Sequence, residues 1–246
     1  MIGIIDSGSG GINVINECKK HYNEDFVYLV DNKNCPYGNK PVEEIKSIVL
    51  NNISYLIKNF DLDLIILGCN TASSILSYKQ LEQLKIPILK TTPDMESLSK
   101  SNGIKILFAT ENTIKKSAFV KYYLLNYDDI KTVYIKDLPK YIDAKIAEKL
   151  PQNEEKIKKM LKKSAIFNKR QKNNSKFIAL GCTHFKHIKQ DINNASGKNT
   201  LFFECEKKVA KLSKYFVRKS KKQSTINVIL TDKNDELKQA ILNMLL

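Results

Sequence analysis

The sequence predicts an α/β protein built on mainly parallel sheets flanked by helices, with a division near residue 95. Three observations predict it. Short apolar, β-prone runs alternate with amphipathic helical patterns nearly throughout. The alternation breaks at Thr91-Thr92-Pro93-Asp94. Two cysteine motifs, Leu67-Gly68-Cys69-Asn70-Thr71 and Leu180-Gly181-Cys182-Thr183-His184, echo each other on either side of the break, each after an apolar run and before a helical pattern. Strand–helix alternation of this kind buries a parallel sheet on both faces.

Taken in order, strands are expected at residues 2–5, 26–30, 64–67, 87–89, 104–108, 132–135, 177–180 and 226–230. Val42, Ile45, Val49, Ile53, Leu56, Ile57 and Phe60 keep helical i, i+3, i+4 spacing, with Pro41 at the first turn. Ile75, Leu76, Tyr78, Leu81 and Leu84 continue a helix after Cys69 that stops before Pro87. Val120, Tyr123 and Leu124 continue another after Thr113, and Ile157, Met160 and Leu161 give a third with one apolar face. The polar stretch 168–176 reads as a surface loop. A final helix, about 234–245, returns to complete the first part, so the expected domains are 1–94 plus 210–246, and 95–209.

With 246 residues, 42% apolar and 27% charged, the composition is that of an ordinary globular protein. No stretch approaches the roughly 18–20 uninterrupted apolar residues of a membrane span. The amino terminus enters a strand directly and has no basic-then-apolar signal pattern, so a cytoplasmic location is expected, with no membrane partner. Five cysteines form an odd set without close pairs, which points to reduced thiols rather than a disulfide framework. The net charge of +15 raises a nucleic-acid partner. However, Arg170 and Arg218 are the only arginines, and bidentate phosphate and base contacts favour arginine. Lysine and asparagine richness therefore reads first as composition.

The chemistry-bearing residues gather at expected strand ends, where open α/β sheets collect ligands. Asp6-Ser7-Gly8-Ser9-Gly10-Gly11 follows the first strand; its glycines allow a sharp turn and a close backbone approach. It lacks the order of a dinucleotide fingerprint. Asp6 is placed to orient a catalytic group or an ammonium, although a plain strand-to-helix turn is the simpler reading. Asp31-Asn32-Lys33-Asn34-Cys35-Pro36-Tyr37-Gly38 offers backbone N–H groups and an aromatic wall. Asn70, Thr71 and Thr183 are natural helix N-caps that also suit a substrate carboxylate. Cys69 and Cys182 each precede a helix amino terminus, which favours the thiolate, and His184 is placed to tune Cys182. Two such thiols suit proton removal on one face of a carbon and delivery on the other.

Two competing readings use the second motif. Cys182, His184, His187 and Cys205 raise a metal site, but their spacing matches no usual zinc pattern. Cys182 and His184 raise a nucleophile–base pair, although residues two apart seldom reach that geometry. The basic runs at 156–176 and around Arg218, Lys219, Lys221 and Lys222 lack the interleaved aromatics of a single-strand binding surface.

Together the motifs resemble glutamate racemases, within the aspartate/glutamate racemase superfamily. The residues that carry the resemblance are Asp6-Ser7-Gly8-Ser9-Gly10-Gly11, Asp31 with Pro36-Tyr37-Gly38, Cys69-Asn70-Thr71-Ala72-Ser73, Ala109-Thr110 with Thr113-Ile114, and Gly181-Cys182-Thr183-His184-Phe185. The resemblance implies two similar α/β domains with the active site in the cleft between them. It implies cofactor-independent interconversion of L- and D-glutamate, supplying D-glutamate for peptidoglycan, with no metal, and a homodimer. By position, Cys69 and Cys182 would be the acid/base thiols, taking the proton from the D- and the L-enantiomer respectively. Asp6 and His184 would assist them, and Asp143 is a candidate for the family's supporting second-domain carboxylate. Ser7, Tyr37, Gly38, Asn70, Thr71 and Thr183 would hold the substrate together with Asp6 and His184. The chain departs from the family pattern at Leu89-Lys90-Thr91-Thr92-Pro93-Asp94, at Lys186, where a proline is usual, and at Glu204-Cys205-Glu206, where an Asp-Ser-Gly-like turn is usual. A racemase for aspartate or another acidic amino acid would keep both thiols. A basic binding protein on the same scaffold, with nucleic acid or DNA gyrase as partner, is the reading from another class.

Overall fold

The computed structural model describes residues 1–148, 150–164, 175–197, 199–217 and 224–245. Among them the strands in chain order are β1 (Ile2–Asp6), β2 (Phe26–Val30), β3 (Leu64–Leu67), β4 (Ile88–Lys90), β5 (Ile104–Ala109), β6 (Ile130–Val133), β7 (Lys176–Gly181), β8 (Thr200–Glu204) and β9 (Ile226–Leu230). They form two sheets, ordered β4-β3-β1-β2-β9 and β6-β5-β7-β8, in which every pairing is parallel. β1, β2 and β3 are buried along their whole length, as continuous apolar runs in a doubly covered sheet must be.

Twelve α-helices cover the two faces of each sheet among the described residues: α1 (Gly11–Cys18), α2 (Val42–Asn59), α3 (Asn70–Ile75), α4 (Tyr78–Glu82), α5 (Met95–Lys100), α6 (Glu111–Lys116), α7 (Ala118–Asn126), α8 (Leu138–Glu148), α9 (Pro151–Lys163), α10 (Lys189–Ser196), α11 (Glu206–Ser213) and α12 (Asp235–Leu245). α2 starts after Pro41, carries Glu43 and Glu44 in its first turn, and buries Ile45, Val49, Ile53 and Leu56 against the first sheet. Each of those side chains contributes about 1.5–3 kcal/mol by leaving water. The opposite face of that sheet is covered from α1, α11 and α12. The second sheet is packed between α8, α9 and α10 on one side and α5 and α7 on the other. α11 follows β8 of the second sheet yet packs through Val209 and Ala210 into the first core; the expected join at 209/210 falls inside this helix.

The two registers position the site. Asp6 pairs with Val30 and Ile5 with Leu67, so the ends of β1 and β3 lie side by side, and Gly68 N–H donates to Ile5 O at 2.8 Å. In the second sheet Ala109 pairs with Gly181, which brings Thr110 and Cys182 to adjacent strand ends.

Several expectations shift. The helix expected after Cys69 is two helices, because Ser77 and Gln80 form a capping box that restarts the chain as α4. The helix expected to continue after Thr113 likewise divides at Ser117, whose hydroxyl caps α7. The strand expected at 132–135 lies at Ile130–Val133, and β8 is an additional strand. Lys176, expected in a loop, is a buried strand residue; the rest of that loop from 168 to 174, with Lys169 and Arg170, lies outside the described residues, as do Arg218, Lys219, Lys221 and Lys222. In α9 Lys158 pairs with Glu154 at 2.6 Å over the buried Ile157 and Leu161, which makes that basic face a solvated exterior. No described helix is long and apolar enough to cross a membrane.

Candidate active site

Asp6 ends β1 fully buried. Its Oδ1 accepts the Gly8 N–H at 3.0 Å, and its Oδ2 accepts the hydroxyl of Thr183, from the end of the second sheet's β7, at 2.9 Å. Asn13 on α1 donates to Thr183 O at 2.9 Å, a second tie between the halves. The glycine-rich turn is what permits this approach. A Cβ on Gly8 would sit 2.0 Å from Asp143 Oδ2, and one on Gly10 would sit 2.2 Å from Thr183 Oγ1. Burial pushes the Asp6 carboxyl above its ordinary range, against the opposing pull of His184, Gly8 N–H and the Thr183 hydroxyl.

Cys69 caps α3, is 5% exposed, and places Sγ 3.8 Å from Ser7 Oγ. Burial pushes its thiol up to about 12, and Asp6 adds to the shift. The Ala72 N–H at the start of α3 acts the other way, as a helix amino terminus should, but is outweighed; the resting group is a neutral thiol, contrary to the sequence expectation of a thiolate. Cys182, at the end of β7, is also 5% exposed, with Sγ 3.8 Å from His184 Nδ1. The two sulfurs feel each other, since charge on Cys182 hinders ionisation of Cys69.

His184 is buried and directs Nε2 to Asp143 Oδ2 at 3.3 Å. Burial opposes charge on the ring, but the Asp143 carboxylate prevails and holds the imidazole well above its ordinary value. Asp143 lies on α8, outside every recognised motif. Burial works to raise it, yet His184 and the Ser9 donors hold it below the usual range; Ser9 gives N–H at 3.1 Å and O–H at 2.5 Å to Oδ1. Cys35, half-buried, donates its thiol to Asp143 Oδ2 at 3.5 Å. The Cys182–His184 contact is closer than expected for residues two apart. With Nε2 turned to Asp143, His184 meets the Cys182 sulfur through Nδ1.

The remaining candidates surround this centre unequally. Thr71 Oγ1 meets Thr110 Oγ1 at 2.8 Å, and Thr110 meets Thr113 at 2.9 Å, a hydroxyl chain across the two sheet ends. Gly38 lies against Thr110, where a Cβ would be 3.0 Å from the threonine Cβ. Tyr37 is buried, but its hydroxyl turns away to Asp31 Oδ2 at 2.5 Å. Asn70 donates Nδ2 to Cys205 Sγ at 3.2 Å, while its Oδ1 is buried with no partner among the described residues. Cys205 is thus engaged with Asn70, and His187 Nε2 faces Ser9 O at 3.2 Å, so neither joins Cys182 and His184 as a metal set. Among the described residues, Cys35, Asp143 and His184 are the side chains whose ligand atoms converge, within 4.8 Å of one another. A cavity of about 590 Å³ opens beside Ser73, Lys90, Lys116, Cys205 and Lys208, and Asp6, Cys69, Cys182 and His184 do not line it.

Sequence reasoning left out Ser9, Asn13 and Cys35. Ser9 and Cys35 lie within turn motifs, where spacing alone does not tell a donor from a filler. Asn13 sits on a short buried helix with no motif of its own.

No family model matches the chain. The glutamate racemase of Buchnera aphidicola subsp. Schizaphis graminum is 31% identical over 247 residues, covering 97% of the chain and 93% of that relative. The glutamate racemase of Campylobacter concisus is 31% identical over 195 residues, covering 78% and 72%. Among solved structures, Escherichia coli glutamate racemase in complex with L-glutamate and the activator UDP-MurNAc-ala superposes with a TM-score of 0.82 at 19% identity, over 99% of this chain and 94% of that one. An aspartate racemase from Picrophilus torridus gives 0.52 at 18% identity, over 87% and 93%. The structural likenesses carry the fold; the two sequence relatives carry more than the fold.

Proposed function

The chain belongs to the glutamate racemase family, and from that premise we propose that it interconverts L- and D-glutamate without a cofactor, using Cys69 and Cys182 as the two acid/base groups. The observation that carries the reading is the pair of buried strand-end thiols, one from each sheet, each backed by its own polar partner. With L-glutamate, the Cys182 thiolate takes the α-proton and becomes a thiol. The neutral Cys69 thiol gives its proton to the opposite face of the carbanion and becomes the thiolate. D-glutamate runs the sequence backwards, so one turnover exchanges the two sulfurs' states.

An α-proton beside a carboxylate is weakly acidic, and fixed donors in a dry site must hold the charge that develops. His184, kept charged by Asp143, offers Nδ1–H to Cys182 Sγ as that sulfur ionises. Asp6 assists on the Cys69 side. Ser7, Tyr37, Gly38, Asn70, Thr71 and Thr183 hold the substrate through hydroxyls and backbone N–H groups, and the orphaned Asn70 Oδ1 suits the ammonium. Tyr37 serves through its ring and backbone, since Asp31 holds its hydroxyl. Thiols this buried are reached only when the lobes part. The division expected from the sequence, 1–94 plus 210–246 against 95–209, is retained as a proposal, with the second crossing moved to Cys205 between β8 and α11. The role that goes with this reading is D-glutamate supply for peptidoglycan, in the cytoplasm, by a homodimer.

Purified protein in deuterium oxide tests it. Deuterium should enter both enantiomers of glutamate without added cofactor, and Cys69→Ser and Cys182→Ser should each lower racemisation by about 10²–10⁴-fold while leaving the circular dichroism unchanged. Wild-type turnover in both variants overturns the two-thiol mechanism. Turnover of aspartate with none of glutamate replaces the substrate. Salt-sensitive DNA binding at physiological ionic strength, with no racemisation, replaces the enzyme by a binding protein.

A further inference from the structure

The acid/base chemistry uses Asp143 and His184 but gives no role to Cys35, whose thiol joins them. Cys35 Sγ is 3.5 Å from Asp143 Oδ2, which is 3.3 Å from His184 Nε2, and the three ligand atoms all lie within 4.8 Å of one another. Bond lengths to tetrahedral zinc set ligand-to-ligand edges of roughly 3.3–3.6 Å for such a sulfur, oxygen and nitrogen set. Two edges already match, and the third closes by a side-chain adjustment. A thiolate, a carboxylate and an imidazole together suit a borderline-soft divalent cation rather than magnesium or calcium.

The surroundings support the same use. Ser9 holds Asp143 Oδ1 with two donors, which orients Oδ2 toward Cys35 and His184 as an outer-shell partner orients a ligating carboxylate. Cys35 and Asp143 also line a surface cavity of about 270 Å³ whose wall carries Glu148 and Asp232 beside Lys140 and Lys233. Neither Cys69 nor Cys182 lines it, so a cation has its own approach.

We propose that Cys35, Asp143 and His184 form an inhibitory site for zinc or a similar divalent cation, filled from this cavity. On binding, the Cys35 thiol releases its proton and His184 releases the Nε2 proton that faces Asp143, both to solvent; the cation takes three ligands and leaves a fourth position for water. Nδ1 keeps its proton, but closing the third ligand edge draws the ring toward Cys35 and away from Cys182 Sγ, a contact already 3.8 Å long, and Asp143 no longer pairs with the ring alone. The inhibition rests on the function proposed above; the binding does not.

Titration of the purified protein with Co²⁺, read by sulfur-to-cobalt charge-transfer absorption, tests the site. One Co²⁺ per chain is expected, with a band that persists in a Cys69→Ser/Cys182→Ser double variant and vanishes in Cys35→Ser. A band missing from the wild type, lost in the double variant or surviving Cys35→Ser overturns the site. On the unaltered protein, zinc should slow alkylation of Cys35, mapped by peptide mass; an unchanged rate also overturns it. Zinc should stop racemisation by the wild type and spare Cys35→Ser, and continued turnover of the zinc-loaded wild type overturns the inhibition. A protein with the cobalt band but no racemisation of glutamate under any condition rejects the proposed function and leaves the cation site standing.

Discussion

His184 Nε2 lies 3.3 Å from Asp143 Oδ2, which ties the residue two places after Cys182 to a helix that carries no recognised motif. The ion pair keeps the imidazole charged in a site where burial favours the neutral ring. In Asp143→Asn that support is gone, and His184 should titrate lower, as read by NMR of its ring protons. kcat should fall about 10²-fold with KM little changed, because Asp143 acts through His184 rather than on substrate. An unmoved His184 titration would separate any activity loss from this pair.

Gly8 is the point where the first turn meets the second half. Alanine there would place Cβ 2.0 Å from Asp143 Oδ2 and 2.5 Å from His184 Nε2, too close for either to stay. Its carbonyl also accepts from the Tyr28 hydroxyl, which holds the turn in place. Gly8→Ala should therefore cost about 1–3 kcal/mol in urea unfolding and depress racemisation as severely as Asp143→Asn. Wild-type kinetics in this variant would show that the pair can move without consequence.

The strand ends that build this centre were legible because β1 and β3 are continuous apolar runs, and a polar residue such as Asp6 at the close of such a run has few structural uses. β8 was not legible: Leu201-Phe202-Phe203 lies at a sheet edge, half-exposed, between Thr200 and the buried Glu204, with no alternation to mark it. β6 was displaced by two residues for a similar reason, since Lys131 and Thr132 on this edge strand face solvent. Asp143 entered only through the family resemblance, as a candidate supporting carboxylate, with no local motif of its own. What makes it special is its contacts with Ser9, 134 positions away, and with His184, 41 away, and no local pattern records those.

Two departures from the family pattern turn out to touch. Lys186, in place of a usual proline, reaches the buried Glu206 and lies 3.1 Å from Glu204, both in the altered Glu204-Cys205-Glu206 segment. Burial raises Glu206 despite Lys186; Glu204 is held down at about 2, because Lys189 and Lys186 outweigh its burial. Lys186→Met should cost about 3 kcal/mol, since Glu206 is then left without its cation in the interior. Adding Glu206→Gln should restore most of that loss, and a double-mutant cycle in urea measures the coupling. Independent, additive effects would mean that the two departures arose separately.

His187 gives the fold a defined weakness to acid. Its ring nitrogen lies 3.2 Å from Ser9 O, and burial, with His184 second, pushes its value down from 6.5 to about 4. Between those two values the unfolded chain binds a proton that the folded chain refuses. Unfolding therefore takes up a proton, and stability falls as pH drops from 6.5 toward 4. The span corresponds to a loss on the order of 3 kcal/mol from this residue. His187→Gln removes the titrating group while keeping an N–H for Ser9 O. Its stability near pH 7 should lie close to that of the wild type, and the part of the decline owed to this ring should be absent. Urea unfolding of both proteins at pH 7 and at pH 4.5 measures the difference; parallel losses in the two would assign the acid sensitivity to other groups.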